Sequence, residues 1–284
     1  MIWLGFALIF WCAATLVNVR LAGSAYNDTR LVRIFVPLLF GATLLVLWEA
    51  LVRHFDVSPV ILPPPSLVAR TFVSSTETLW IDFQQTVVKG ALSGYVIGMV
   101  AAFLTAIAID RSTFLTRGLL PIGNFVAALP IVGIAPILVS WFGFDWHSKA
   151  AVVVVMVFFP ILVNCVQGLK EAEAMQRDLM RTYAASYLQT LFKLRLPAAM
   201  PFVFNGLKIA TTLALIGAIV AEYFGSPTRG MGFRISTGVG SLSIDLVWAE
   251  IAVAALVGSA FYGAVSLMER WVTFWHPSQR GGRS

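Results

Sequence analysis

The sequence predicts an all-α bundle of helices that cross a membrane several times. Of its 284 residues, 58% are hydrophobic and only 12% are charged, against roughly 25% charged in an ordinary globular domain. The apolar residues are gathered into seven runs, each near the roughly 20 residues needed to span a bilayer core. Runs of that length occupy about half of the chain and leave no room for a separate catalytic domain. The formal net charge of +6 lies between the runs, where it orients a membrane protein rather than binding nucleic acid.

The first run, Ile2 to Val19, carries no charge and is long enough to span. It has neither the positive n-region nor the small-x-small cleavage site of a signal peptide, which favours a retained helix over a removed leader. A polar loop with Arg20, Asp28, Arg30 and Arg33 follows. Residues 1–33 therefore read as an extra N-terminal helix with its loop, 34–272 as a core of six spans, and 273–284 as a tail. The core runs are Ile34 to Val52, Thr86 to Ile109, Leu119 to Phe142, Ala150 to Leu169, Pro201 to Tyr223 and Leu246 to Met268. Between the first two of these, Pro63, Pro64 and Pro65 forbid a helix. The stretch from Leu67 to Val73 is either a short amphipathic helix at the outer interface or a packed loop.

Charge sets the orientation. If the long polar segment beginning at Lys170 is cytoplasmic, its side also holds Arg20, Arg30, Arg33, Arg111, Arg117, Arg177, Arg181, Lys193, Arg195, Arg270, Arg280 and Arg283, which makes 13 of the 20 basic residues. Arg53, Arg70, Lys149, Arg229 and Arg234 fall outside, with Lys89 and Lys208 near helix ends. The excess of Lys and Arg matches a cytoplasmic placement of that segment. Cys12 and Cys165 both fall in apolar runs and read as small packing residues. His54, His147 and His276 read as solvated loop residues.

Within the spans, Gly90, Gly94 and Gly98, continued by Ala102 and Ala106, recur every four residues and form a smooth ridge on one helix face. Small residues let helix backbones approach where lipid offers no hydrophobic drive to association. The ridge is a helix-packing surface or, in the minority reading, a wall of the transport path. Pro121, Pro130 and Pro136 fall in one run, so that helix should bend or break. Free backbone groups at membrane depth are tolerated only against protein or a watery cavity, which makes Pro130 and Pro136 candidates for the translocation path beside the alternative of kinked packing. Glu222 ends an apolar run and reads as a structural or gating residue near the outer end of its helix rather than a proton relay.

The segment from Lys170 to Pro201 is the one long polar stretch on the inner side. Leu179, Tyr183, Leu188, Leu191 and Phe192 give it a moderate apolar face, while Asp178, Arg181 and Lys193 add charge. Pro197 and Pro201 end it and turn the chain into the next span. Either this segment rests on lipid or it docks a soluble partner.

The run from Asp178 and Arg181 through Ala184, Ala185, Ser186 and Gln189 to Leu196 and Pro197 is similar to the cytoplasmic loop of the integral-membrane permeases of binding-protein-dependent ABC importers, E-A-A-x3-G-x9-I-x-L-P. Asp178 stands at the usual Glu and Ala184 at the usual Gly, so the turn before the coupling helix departs from the pattern. Leu62-Pro63-Pro64-Pro65-Ser66, Ala128-Leu129-Pro130, Ala135-Pro136, Trp141-Phe142-Gly143, Ala221-Glu222 and Gly230-Met231-Gly232 extend the resemblance over roughly Ile34 to Arg270. Together they look like the nitrate, sulfonate and taurine branch, which includes pyrimidine-precursor and riboflavin permeases.

That resemblance implies a type I importer permease fold in a bacterial inner membrane. It also implies two ATPase subunits, with the 178–197 segment as an ATPase-docking surface, a second permease chain, identical or related, and an external or periplasmic substrate-binding protein. ATP and Mg would be bound by the ATPase, and no cofactor by this chain, whose sequence has no G-x4-G-K-[ST] loop to cradle phosphates. No chemistry on the solute is expected. The rival from another class is an ion-gradient-driven secondary transporter, which needs coupling-ion ligands near the midplane and often an internal repeat; the sequence displays neither.

Overall fold

The computed structural model describes residues 2–24, 29–127, 129–225 and 228–275, all helical or connecting, with no strand among them. Asp28, His276, Arg280 and Arg283 lie outside the described residues. The chain divides into two compact units, one of 1–77 with 237–250 and the other of 78–236 with 251–284.

In the first unit, α1 (Ile2–Ala22) packs along α2 (Arg30–His54). Both expose long apolar side chains such as Phe6, Ile9, Leu38 and Leu44, as helices meeting lipid do. The proline turn then leads into α3 (Pro65–Ser74). The helix starts on the third proline, so the expectation that the triplet excludes helix is corrected at Pro65. In the first helical turn an amide has no helical partner, and the missing N–H costs nothing. Glu49 of α2 takes over the capping: its carboxylate accepts from the Ser66 amide at 2.9 Å and the Ser66 hydroxyl at 2.8 Å. This is the physical content of the Pro-Pro-Pro-Ser motif, a helix start fastened to its neighbour.

In the chain order that follows, α4 (Thr76–Phe83) continues through a wide π-helical stretch, Gln84–Leu92, into α5 (Ser93–Arg111). Then come α6 (Thr113–Ala127), α7 (Ile131–Phe142), α8 (Trp146–Lys170), α9 (Ala174–Thr182) and α10 (Tyr187–Thr190). A second wide turn, Leu191–Arg195, joins α10 to α11 (Leu196–Gly225), and α12 (Met231–Gly240) and α13 (Ile244–Val272) close the described chain.

Among the described residues, six helices are long and apolar enough to cross a membrane. The expected span Leu119 to Phe142 is not one of them, because it is divided at Pro130 into helices of 15 and 12 residues. Pro130 sits in extended backbone (φ −68°, ψ 113°), the conformation in which its ring and the residue before it are unstrained. Two further expectations are corrected. Pro201 lies inside α11 rather than ending the polar segment, and His54 and His147 lie in α2 and α8 rather than in loops.

The core of the second unit is built on α5, α8 and α11. A Cβ added at Gly94 would lie 2.5 Å from the Val153 Cβ, and one at Gly98 would lie 2.4 Å from a Val157 methyl. Both numbers rise together, so α5 and α8 run side by side in the same direction. Gly168 lies against Ala199, Gly206 against Ile161 and Gly217 against Val153, so α11 runs the opposite way. Ala102 and Ala106 continue the α5 ridge with no exposed surface. Since α5 and α8 are parallel, the chain between them must return across the layer. The broken pair α6 and α7 makes that return: Gly123 meets Phe159, and Val139 reaches Gly225 at the far end of α11.

Candidate functional site

At the end of this core that holds Glu222, five polar side chains are fully buried: Asp82, Thr86, Ser148, Lys149 and Glu222. Asp82, Thr86 and Glu222 close on a single turn. The Gly230 amide donates to the Asp82 carboxylate at 2.7 Å, the Met231 amide to the Thr86 hydroxyl at 2.8 Å and the Gly232 amide to the Glu222 carboxylate at 3.1 Å. Thr86 in turn donates to Glu222 at 2.6 Å, and Arg234 pairs with Asp82 at 2.8 Å. Three consecutive amides at the start of α12 are thus held by side chains of two other helices. The Gly-Met-Gly motif follows from this. Gly230 has φ +117°, which L side chains rarely adopt, and a Cβ on Gly232 would lie 2.0 Å from the Ile219 carbonyl oxygen.

Lys149, expected in an outer loop, lies in α8, and its ammonium donates to the Gly225 carbonyl at 2.7 Å and the Phe144 carbonyl at 2.5 Å. It caps the last carbonyl of α11, the end of a helix that attracts cations, and ties it to the turn before α8. Glu222 is therefore held by a hydroxyl and a backbone amide. Pro130 and Pro136 are not among its partners; both lie on the exposed side of α7, which buries Ala135, Leu138 and Val139 instead.

The opposite end of the core carries the polar segment. The last residues of α9 finish in a tight reversal: the Ala184 amide donates to the Arg181 carbonyl at 2.8 Å and the Ala185 amide to the Met180 carbonyl at 3.0 Å. This paired bonding closes a helix with one left-handed residue, normally glycine. Here Ala184 takes that place at φ +51°, which costs an L residue roughly 1–2 kcal/mol. The position where the sequence departs from the importer pattern is therefore the one where the backbone asks for glycine.

Ser186 then caps α10, its hydroxyl accepting from the Gln189 amide at 3.3 Å while the Gln189 side chain accepts from the Ser186 amide at 2.8 Å. Such a reciprocal box starts a helix at a fixed residue. Asp178 and Arg181 form an open pair at 3.5 Å on α9.

The segment leaves Met175, Leu179, Tyr183, Leu188 and Phe192 exposed. Of the expected apolar face, only Leu191 is buried. Leu196, expected among the docking residues, packs in the chain's own core, and Pro197 is half-buried as the second residue of α11. The wide turn before it gives room where the Pro197 ring would otherwise meet the carbonyl four residues back. Lys208, expected near an outer helix end, lies within α11 and pairs with Glu269 of α13 at 2.7 Å.

Beneath the segment lies a cluster that the sequence reading missed. The Arg195 guanidinium donates to both carboxylate oxygens of Asp110, at 2.7 and 2.5 Å, and to the Leu169 carbonyl at 2.8 and 3.0 Å. The Tyr187 hydroxyl donates to Asp110 at 2.8 Å, and Arg111 stacks over the Tyr187 ring at 4.3 Å. A signal did exist, a lone acid closing the α5 run and a lone base before the Leu-Pro pair, but nothing in the sequence joins positions 85 residues apart.

Comparison with known proteins fits this arrangement. A "Probable ABC transporter permease protein" of Haemophilus influenzae is 32% identical over 245 residues, 85% of this chain and 98% of that protein. The "Formylaminopyrimidine transport permease protein ThiX" of Halalkalibacterium halodurans is 29% identical, with 86% and 96% covered, and the "Putative aliphatic sulfonates transport permease protein SsuC" of Bacillus subtilis is 28% identical, with 86% and 88% covered. A chain of the MetNI methionine ABC transporter, solved in inward-facing conformations, shares the fold with TM-score 0.54 at 16% identity, over 70% of this chain and 95% of that one. The profile of the binding-protein-dependent transport system inner membrane component matches residues 94–274, the stretch that holds the Asp110 cluster, the capped segment between α8 and α11, and Lys149 and Glu222 of the other cluster, but not Asp82 or Thr86. The chain is a multi-pass membrane protein and belongs to that family of ABC transporter permeases.

Proposed function

We propose that this chain is the permease subunit of an importer that carries a small organic or anionic solute across the bacterial inner membrane into the cytoplasm, driven by ATP hydrolysis on separate subunits. The observation that carries the reading is the segment 174–192. Two capped helices stand outside the apolar core with five large apolar side chains exposed, surface of the kind that meets a protein or a membrane, and the likeness of 178–197 to the importer loop pattern favours the protein. Asp178, Arg181, Ala184, Ala185, Ser186 and Gln189 form the docking surface for one of two ATPase subunits, which bind the ATP and Mg. Leu196 and Pro197 root it in the bundle. A second permease chain, identical or related, completes the path, and an external or periplasmic binding protein delivers the solute at the Glu222 end. Pro130, Pro136 and Glu222 line or gate that path.

The solute is of the sulfonate, nitrate or pyrimidine-precursor type. Relatives named for a pyrimidine and for sulfonates stand at 29% and 28% identity, so overall likeness supports the class without choosing within it. The test is uptake of formylaminopyrimidine and of an alkanesulfonate by the purified assembly in proteoliposomes. Uptake that requires ATP and survives an ionophore is expected. Uptake by this chain alone, driven by a proton or sodium gradient, overturns the reading in favour of a secondary transporter. A topology reporter within 170–177 should read as cytoplasmic, and an external signal reverses the orientation.

A further inference from the structure

We propose that Asp110 is a positioning residue for energy coupling: it locks the docking segment to the ends of α5 and α8, so that a push on the segment moves the core helices with it. The inference rests on the importer reading and adds the part that transmits the force.

The geometry argues it in three steps. First, the docking segment has two soft points: the left-handed turn at Ala184 and the π-helical turn Leu191–Arg195. Apolar packing of Leu191 and Leu196 holds the segment in place, but packing is not directional, and two such joints would let α10 swing without displacing the bundle. Second, both ends of the stretch from the start of α10 to the root of α11 are tied to the same carboxylate. Tyr187, the first residue of α10, and Arg195, the last of the wide turn, both donate to Asp110.

Third, Arg195 also occupies the Leu169 carbonyl, one of the last in α8 and without a helical amide to accept from. One guanidinium therefore joins α5, α8 and the root of α11. The pair is built for stiffness. Its side chains are 14% and 12% exposed and bound through two oxygens, whereas Arg181 and Asp178 are 85% and 70% exposed and meet through one contact at 3.5 Å. A shielded two-pronged pair fixes an angle as well as a distance; an open single contact does neither.

The experiment needs no knowledge of the solute. In a chain with Cys12→Ser, Tyr223→Cys is introduced at the far end of α11, where the side chain is exposed. Its labelling by a membrane-impermeant maleimide is followed in the reconstituted assembly, with and without ATP plus vanadate. The parent should change its labelling rate at least threefold on nucleotide trapping. Asp110→Ala should retain the ATPase subunit and hydrolyse ATP within twofold of the parent, yet lose most of that change. Tyr187→Phe should lose part of it, and Asp110→Glu should restore part of it.

An Asp110→Ala assembly that keeps the parental response overturns the inference. So does loss of membrane abundance in both Asp110→Ala and the isosteric Asp110→Asn, since the pair is then a folding requirement only. A parent that never responds to nucleotide sinks the importer reading itself, and the inference falls with it.

Discussion

The two ends of the α5–α8–α11 core solve opposite problems with the same kinds of residue. At the Glu222 end, Asp82, Thr86, Lys149 and Glu222 are wholly buried and bond within the chain, to backbone groups and to side chains, with one Glu222 carboxylate oxygen accepting no hydrogen bond among the described residues. At the Asp110 end, one shielded pair, Asp110 with Arg195, ties the root, and the helices beyond it carry exposed apolar side chains beside the open Asp178–Arg181 pair. Polar groups sealed inside make an end that holds its own shape, because each buried donor or acceptor left unpaired is costly. The apolar side chains exposed on α9 and α10 make a surface for contact with a protein or with lipid. One end is closed largely by its own chain; on the proposed function the other is completed by the ATPase subunit.

The comparison can be broken most forcefully at Glu222. Glu222→Ala strands the Thr86 hydroxyl and the Gly232 amide in a buried site and should cost about 3 kcal/mol or more, read as a lower thermal midpoint in detergent and reduced membrane abundance. Glu222→Gln, which keeps an acceptor oxygen, should lose less. Equal losses would mean that the charge, not the hydrogen bonding, holds that end together.

Gly94→Val attacks the packing between the two ends. The new side chain would meet Val153 and also the Ala150 carbonyl, 2.7 Å from the added Cβ, a backbone atom with little freedom to yield. Overpacking of this kind costs about 1 to 3 kcal/mol. Gly118→Ala, where an added Cβ meets nothing within 4 Å, is the neutral control, and a matching loss there would remove the argument from close packing.

At the unfinished end, Ala185→Trp should leave membrane abundance at the parental level, since the segment lies outside the apolar spans. It should weaken ATPase retention by about 1 to 3 kcal/mol and uncouple hydrolysis from transport. If co-purification, solute-stimulated hydrolysis and abundance all stay parental, the docking role fails. The smallest effect is a gain. Ala184→Gly relieves the left-handed alanine, worth about 1 kcal/mol, and should slow hydrogen exchange of the Ala185 amide about fivefold. Unchanged exchange would show that the turn carries no strain.

Much of the fold was legible because a bilayer imposes a length. Runs such as Ala150 to Leu169 and Pro201 to Tyr223 could only be spans, and three prolines within 16 residues announced the interruption that the structure places at Pro130. The ends of helices were less legible, because helical hydrogen bonding continues past the apolar stretch: α4 and the turn after it run unbroken into α5, and Pro201 is absorbed where its missing amide can be tolerated near a helix start. Buried charge was the least legible. Lys149 was counted with the loop residues because a lysine at the edge of an apolar run reads the same whether it faces water or two carbonyls. Asp82 with Arg234 and Asp110 with Arg195 are long-range pairs, and no local pattern encodes which distant helix a side chain will face. In the docking segment the Ala at the glycine position was visible, but its left-handed backbone only appears once the two closing amide bonds are traced.

The shared direction of α5 and α8 also constrains how the protein is made. Antiparallel neighbours can close as they leave the ribosome, whereas a same-direction pair must wait until the connecting chain has been threaded back across the bilayer. During synthesis α5 therefore stays in lipid with its glycine groove empty while α6 and α7 cross, and the groove is filled only when α8 arrives. Lateral association follows insertion rather than accompanying it. A chain with a damaged groove would reach the membrane with every span inserted and fail afterwards, as an intact but unassembled product open to membrane proteases.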